Sequence, residues 1–228
     1  MIQDNLARIR KRITEAALRR DRSPDDVKLI CVTKAATADQ VKEALSCGVT
    51  DIGENRAQDA LLKYNQLGDT ASKARWHMIG HLQTNKVKKA LELFEVVHSL
   101  DSMRLAEEID KRAASLDKRI DCLIEVNVSG ESSKYGVELK EAPLFIKEAA
   151  RLSNIRIVGL MTMAPFVDDP ELTRPCFIKL RELRDSLRAE AIPNTDIKEL
   201  SMGMTQDYEV AVEEGATFVR IGTAVFSG

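Results

Sequence analysis

No two cysteines of this chain form a C-x-x-C pair. The four present, Cys31, Cys47, Cys122 and Cys176, are scattered over 228 residues. Cys31 and Cys122 lie in apolar runs, where a free thiol behaves as a small hydrophobe. That usage suits a reducing cytoplasm. The sequence also lacks a long apolar stretch or signal peptide at its start, which argues for a soluble intracellular protein. An excess of positive charge is missing as well, the formal net charge being −2, so no overall field draws the chain to nucleic acid or to a membrane. There is no G-x-x-x-x-G-K-[ST], which removes a nucleoside-triphosphate loop. Nor is there a linker, repeat or low-complexity tract to divide the chain, and one domain over residues 1–228 is expected.

What is present is apolar patterning, with 44% hydrophobic residues to build a core. Ile2, Leu6, Ile9, Ile13 and Ala17 recur at threes and fours and predict an amphipathic helix over about residues 2–20. Its other face carries Arg8, Arg10, Lys11, Arg12, Arg19 and Arg20. Such a face can address a membrane, but Asp4 and Glu15 interrupt it and a solvated face is the simpler reading. Beyond it, short apolar runs alternate with helical patterns. Strands are expected at 28–33, 51–54, 75–79, 94–98, 121–127, 156–161, 198–201 and 217–221, and the clearest helices at 102–116 and 172–188. This alternation implies parallel strands joined by right-handed crossovers. Eight units in about 200 residues point to a single α/β domain, a closed (β/α)8 TIM-type barrel. A doubly wound open sheet is the alternative.

A barrel works at the carboxyl ends of its strands and often holds phosphate after the seventh and eighth. The first strand, "LICV", ends in Thr33-Lys34, just before a Thr37–Gln40 capping box. An ammonium has no place in such a run unless it is delivered to the rim. Asn55 follows the second strand. The third, "RWHMIGHLQTNK", offers His77, His81, Gln83 and Asn85. "SMGMT" places Ser201 and Gly203 before an expected helix start at 205–207, and "RIGT" places Gly222 and Thr223 after Arg220. Small residues let backbone approach an anion, and hydroxyls and helix amino termini favour it. Together these make a candidate phosphate cup. Lys34 reads blandly as a stem packed along the rim with its charge in water. Its sharper reading is an amine nucleophilic towards an aldehyde. With a phosphate cup across the same mouth, a phosphorylated aldehyde such as pyridoxal phosphate fits. Arg220, otherwise an ordinary ion-pair residue, would then face the pyridine nitrogen. A guanidinium only donates, so that nitrogen stays unprotonated and the ring is a weak electron sink.

The segments "VTK", "IGENRAQD", "WHMIGHLQTNK", "VNVSGESSKYG", "GLMTMAP" and "LSMGMTQDYEVAVEEGATFVRIGTAVF" together resemble the pyridoxal phosphate homeostasis protein family, in order along essentially the whole chain. The resemblance implies a barrel like the amino-terminal domain of alanine racemase, with pyridoxal 5'-phosphate held as a Schiff base on Lys34. It implies Ser201, Gly203, Gly222 and Thr223 around the phosphate, Arg220 at the pyridine nitrogen and Asn55 near the ring. His77 and Met161 fall on family motifs but read equally well as interior packing. Arg56 stands where a tyrosine is common, and Thr205-Gln206-Asp207 where acidic residues usually follow. Neither departure touches Lys34.

Two functions remain. One is a non-catalytic carrier that buffers intracellular pyridoxal phosphate, working as a cytoplasmic monomer, with cofactor-requiring apo-enzymes as recipients and no nucleic-acid or membrane partner. The other is a small amino-acid racemase. Racemisation by two bases needs an acid/base group on each face of the cofactor. In alanine racemase a tyrosine from the partner's additional domain supplies one, and no motif places Tyr64, Tyr135 or Tyr208 in that role. The carrier reading leads.

Overall fold

The computed structural model describes residues 1–131 and 135–227. In chain order its strands are β1 (Lys28–Val32), β2 (Asp51–Glu54), β3 (Arg75–Met78), β4 (Val96–Leu100), β5 (Ile120–Asn127), β6 (Val137–Glu138), β7 (Ile155–Met161), β8 (Thr195–Ser201) and β9 (Phe218–Ile221). The α-helices are α1 (Ile2–Leu18), α2 (Ala38–Ser46), α3 (Ala57–Leu67), α4 (Val87–Ala90), α5 (Met103–Ser115), α6 (Ala142–Ala149), α7 (Arg174–Ala189), α8 (Tyr208–Glu213) and α9 (Thr223–Phe226). All strand pairings are parallel. β1 joins β2 on one side and β9 on the other, and β4 joins β5, so every strand except β6 lies in one closed ring of eight. This is the (β/α)8 barrel, and the open sheet is excluded by the β1–β9 ladder.

The strands bury both faces, as parallel sheets require. In β5 the alternation is plain. Ile120, Cys122, Ile124 and Val126 join the core between strands and helices, whereas Leu123 joins an inner cluster with Ile30, Val96, Val158, Met161 and Phe218. With a period of two, Asp121 and Glu125 face the barrel interior beside Leu123.

Strand boundaries depart from expectation where packing overrides pattern. Residues 94–98 look like a strand, but Phe94 packs in the turn before it, and β4 begins at Val96. β8 starts at Thr195, three residues earlier than expected, because its exposed outer end pairs with β7 from Ile157. β6 was not anticipated; it is a two-residue addition to β5 outside the ring. Residues 132–134 of the "VSGESSKYG" motif lie outside the described residues. The Thr37–Gln40 capping box forms in both directions, at 3.3 and 2.9 Å.

The basic face of α1 is not simply solvated. Arg12 and Arg19 reach Glu209, Arg19 also reaches Glu213, and Arg20 reaches Glu214. Arg10 donates to the carbonyls of Cys47 and Gly48. The charges dock the helix on α8 and on the end of α2. Among the described residues no helix is long and apolar enough to cross a membrane.

Candidate functional site

Lys34 lies exposed in the turn between β1 and α2, and the residue before it is held on every side. Thr33 N donates to Gly53 O at 3.1 Å, and Thr33 Oγ1 donates to Glu54 Oε1 at 2.6 Å. Lys63 of α3, itself buried, donates from Nζ to Glu54 Oε1 and to the Thr33 carbonyl, each at 2.5 Å. Breaking a buried pair by removing one partner typically costs about 3–5 kcal/mol. This pair therefore fixes where β1 ends and where Lys34 begins.

Across the β1–β9 seam Cys31 stands opposite Ile221, so the turn at Gly222–Thr223 neighbours the turn at Lys34. A Cβ on Gly222 would lie 2.8 Å from the Val32 carbonyl oxygen; only glycine lets the two strand ends approach. Thr223 is exposed and opens α9, whose first amides have no intrahelical acceptor. On the other side of β9, Gly203 adopts φ +89°, and a Cβ there would meet Ala211 Cβ at 2.5 Å. Its carbonyl accepts Arg220 N at 3.0 Å, and Met204 N donates to Asp207 Oδ1 at 2.6 Å, closing the turn ahead of α8. Lys34, Gly203, Gly222 and Thr223 thus share the β8–β9–β1 arc of the rim. Asn55, half-buried, follows β2, and its backbone is pressed against Gly80, where a Cβ would stand 2.5 Å from the Asn55 carbonyl oxygen.

Arg220 and Ser201 lie lower, inside the barrel. Arg220 is 4% exposed and Ser201 fully buried. Arg220 donates from Nη1 to Ser201 Oγ at 2.6 Å and from Nη2 to the Thr162 carbonyl at 2.9 Å. Burial pulls the guanidinium down to about 10, which leaves it cationic at neutral pH. Two of its five N–H groups are engaged by these bonds, and no ion pair holds it among the described residues. It is a buried cation with donors in reserve at the base of an open mouth.

Met161 is 1% exposed in the inner apolar cluster, a packing position. His77 is buried but hydrogen-bonded at both nitrogens, to Asp51 and to His98. His81, Gln83 and Asn85 line a separate recess of about 450 Å³ with Asp101 and Arg104, and the His81 ring stacks on Tyr135. That recess carries none of the anchors grouped on the β8–β9–β1 arc.

Several polar residues escaped the sequence reading. His98 and Glu125 stand in the apolar runs "EVVHSL" and "LIEVN", the same signal that singled out Lys34. Glu125 is 5% exposed, and burial together with the charge of Asp101 pushes its carboxyl up to about 7 against the pull of Arg220. Thr162 holds Arg220 through its carbonyl, which no side-chain pattern could announce. Lys63 sits among ordinary polar helix positions, and only the fold shows that its ammonium turns inward.

The fold and rim define a parallel barrel of the alanine racemase type. The family model for the amino-terminal domain of alanine racemase matches residues 2–228. Within that class the chain belongs to the pyridoxal phosphate homeostasis protein family. It is 45% identical over 223 residues to the pyridoxal phosphate homeostasis protein of Aquifex aeolicus, covering 98% of this chain and 96% of that one. Against the Pseudomonas aeruginosa protein of the same name it is 40% identical over 226 residues, covering 99% and 94%. Among solved structures, PipY of Synechococcus elongatus PCC7942 with PLP bound superposes with a TM-score of 0.87 at 33% identity, over 100% of both chains. An alanine racemase of Clostridium difficile 630 shares the fold at a TM-score of 0.74 and 17% identity, over 100% of this chain and 56% of that one.

Proposed function

We propose that the chain binds pyridoxal 5'-phosphate at the β8–β9–β1 rim as a Schiff base on Lys34, and acts as a non-catalytic carrier that buffers the cofactor. The observation that supports this most is the grouping on one arc of an exposed lysine, two close-approach glycine turns and a buried arginine with no ion pair among the described residues. The residues fit the group. When bound, the cofactor supplies an aldehyde that captures amines reversibly. Lys34 provides the amine and Asn55 flanks the ring. The amides at Gly203, Gly222 and Thr223 take the phosphate, and Arg220 donates towards the pyridine nitrogen. An arginine there withholds a proton from the ring, which favours holding the cofactor over using it. The chain then works as a cytoplasmic monomer that passes the cofactor to apo-enzymes requiring it.

The tyrosines are also consistent with carriage. Tyr64 packs edge-on against Trp76, and Tyr208 is buried on α8 beside Arg12. Tyr135 alone stands on the rim, stacked on His81 and 58% exposed; a racemase would have to use it. Loss of a general acid or base typically removes 10²–10⁴-fold in rate. The test follows α-proton exchange into deuterated solvent and chirality for a panel of L- and D-amino acids, with the protein loaded with pyridoxal phosphate. The cofactor spectrum is expected to change as free amines compete with Lys34, without α-proton loss. Rapid racemisation that disappears in Tyr135→Phe would replace the carrier by the enzyme.

A further inference from the structure

Five side chains form an unbroken hydrogen-bonded line across the barrel interior. Asp51 Oδ1 lies 2.9 Å from His77 Nε2, His77 Nδ1 lies 2.9 Å from His98 Nε2, and His98 Nδ1 lies 2.9 Å from Ser201 Oγ. Ser201 Oγ then lies 2.6 Å from Arg220 Nη1. Asp51, on β2, and Arg220, on β9, are its two ends, and each end has a fixed role. A guanidinium only donates. Burial raises the Asp51 carboxyl, but hydrogen bonds from His77 and Thr50 outweigh it and the net shift is downward, so Asp51 is a carboxylate that only accepts. Between them, two imidazoles that share one hydrogen bond need one nitrogen without a proton. Both rings are fully buried, which disfavours a charge on either.

With neutral rings one arrangement satisfies every contact. His77 Nε2–H donates to Asp51, which leaves His77 Nδ1 as acceptor. His98 Nε2–H donates to it, which leaves His98 Nδ1 as acceptor. The Ser201 hydroxyl must supply that last proton, and its oxygen accepts from Arg220. All donors therefore point from Arg220 towards Asp51.

We propose that Asp51 sets the direction of this line and so turns the Ser201 proton away from the mouth, making Ser201 and the two histidines positioning residues for Arg220 rather than parts of the phosphate cup. A phosphate dianion brings no proton, so a serine oriented in this way has nothing to donate to it. The phosphate is left to Thr223 and to backbone amides at Gly203 and Gly222. The ligand in this inference rests on the pyridoxal phosphate reading; the proton positions do not.

Two measurements separate the parts. The first is made on the protein without added cofactor, by long-range proton–nitrogen NMR of labelled histidine. Wild type is expected to show His77 and His98 both protonated at Nε2. Asp51→Asn, which removes the fixed acceptor charge, is expected to populate the Nδ1–H form of His98. An Nδ1–H form of His98 in wild type, or no change in Asp51→Asn, would overturn the proposal.

The second compares pyridoxal phosphate with pyridoxal. Thr223→Ala is expected to weaken the phosphorylated ligand selectively, by about tenfold or more. Ser201→Ala is expected to weaken both ligands by the same factor, because it acts through Arg220. Selective loss of the phosphorylated ligand in Ser201→Ala would return that hydroxyl to the cup. If neither ligand binds wild type, the cofactor reading fails while the NMR result still decides the proton line.

Discussion

Lys34→Ala is expected to abolish the covalent capture of pyridoxal phosphate altogether. Wild type mixed with the cofactor should develop a visible absorption band, and borohydride should then fix a pyridoxyl group on the peptide that contains Lys34. The variant should show neither. Residual binding should survive, since the glycine turns proposed to hold the phosphate and Arg220 do not depend on the lysine. The fold should survive too, because Lys34 is exposed beyond the end of β1, and exposed substitutions commonly stay within about 0.5 kcal/mol. Lys34→Arg, which keeps the charge but cannot form the imine, should behave as the alanine variant does; this separates the bond from the electrostatics. An adduct that persists and maps to another lysine would sink the assignment. Lys63 is a poor substitute because its ammonium is buried between Glu54 and the Thr33 carbonyl.

The second large effect concerns Glu125. Burial and Asp101 raise its carboxyl from an ordinary value of 4.5 to about 7 in the native state. Below pH 4.5 the group is protonated in both folded and unfolded chains, and its contribution is fully present. Between 4.5 and 7 the folded chain keeps a proton that the unfolded chain has released, so stability falls as the pH rises. Above 7 the loss is complete, at about 3 kcal/mol. Glu125→Gln keeps the shape and removes the charge. Its advantage over wild type should therefore grow from near zero at pH 4.5 to about 3 kcal/mol at pH 8. Urea midpoints for both proteins across that range measure it. His77 and His98 titrate in the opposite sense but contribute equally to both proteins, so the difference isolates Glu125. A difference that does not change with pH would show that this carboxyl is not buried in its charged form.

The barrel was readable from the sequence because most buried strands, β1 and β5 above all, are apolar runs, and the longer helices between strands carry a period of three to four. The rim was readable for a related reason. A polar residue at the end of an apolar run has few places to go, which picked out Lys34, Asn55 and the two glycine turns. The same rule applied inside the runs would have found His98 and Glu125. What it cannot supply is direction. Ser201 and Arg220 were grouped with Gly222 and Thr223 by their places in two short motifs, yet the pleat sends Ser201 and Arg220 inward while the turn residues stay on the rim. Lys63 was out of reach, because an inward-turned lysine on an amphipathic helix differs from a solvated one only by its partners.

The seam between β1 and β9 also carries a consequence for the order of events during synthesis. Lys34 lies at one edge of that seam and Thr223 at the other, and Asn5 of α1 donates to the carbonyls of Val225 and Ser227, contacts that span 220 and 222 positions. Neighbouring strands such as β2 and β3 are separated only by α3 and the turn after it, whereas contacts of long sequence separation are intrinsically slow to form. A nascent chain on the ribosome therefore displays its lysine long before the residues proposed to cradle a phosphate have left the exit tunnel. Until then α1 lacks the α8 and α9 surfaces it packs on, and an aldehyde that finds the amine meets no anchor to retain it. On the proposed reading, capacity to hold the cofactor is acquired late, when the seam closes, and partially made chains draw nothing durable from the free pool.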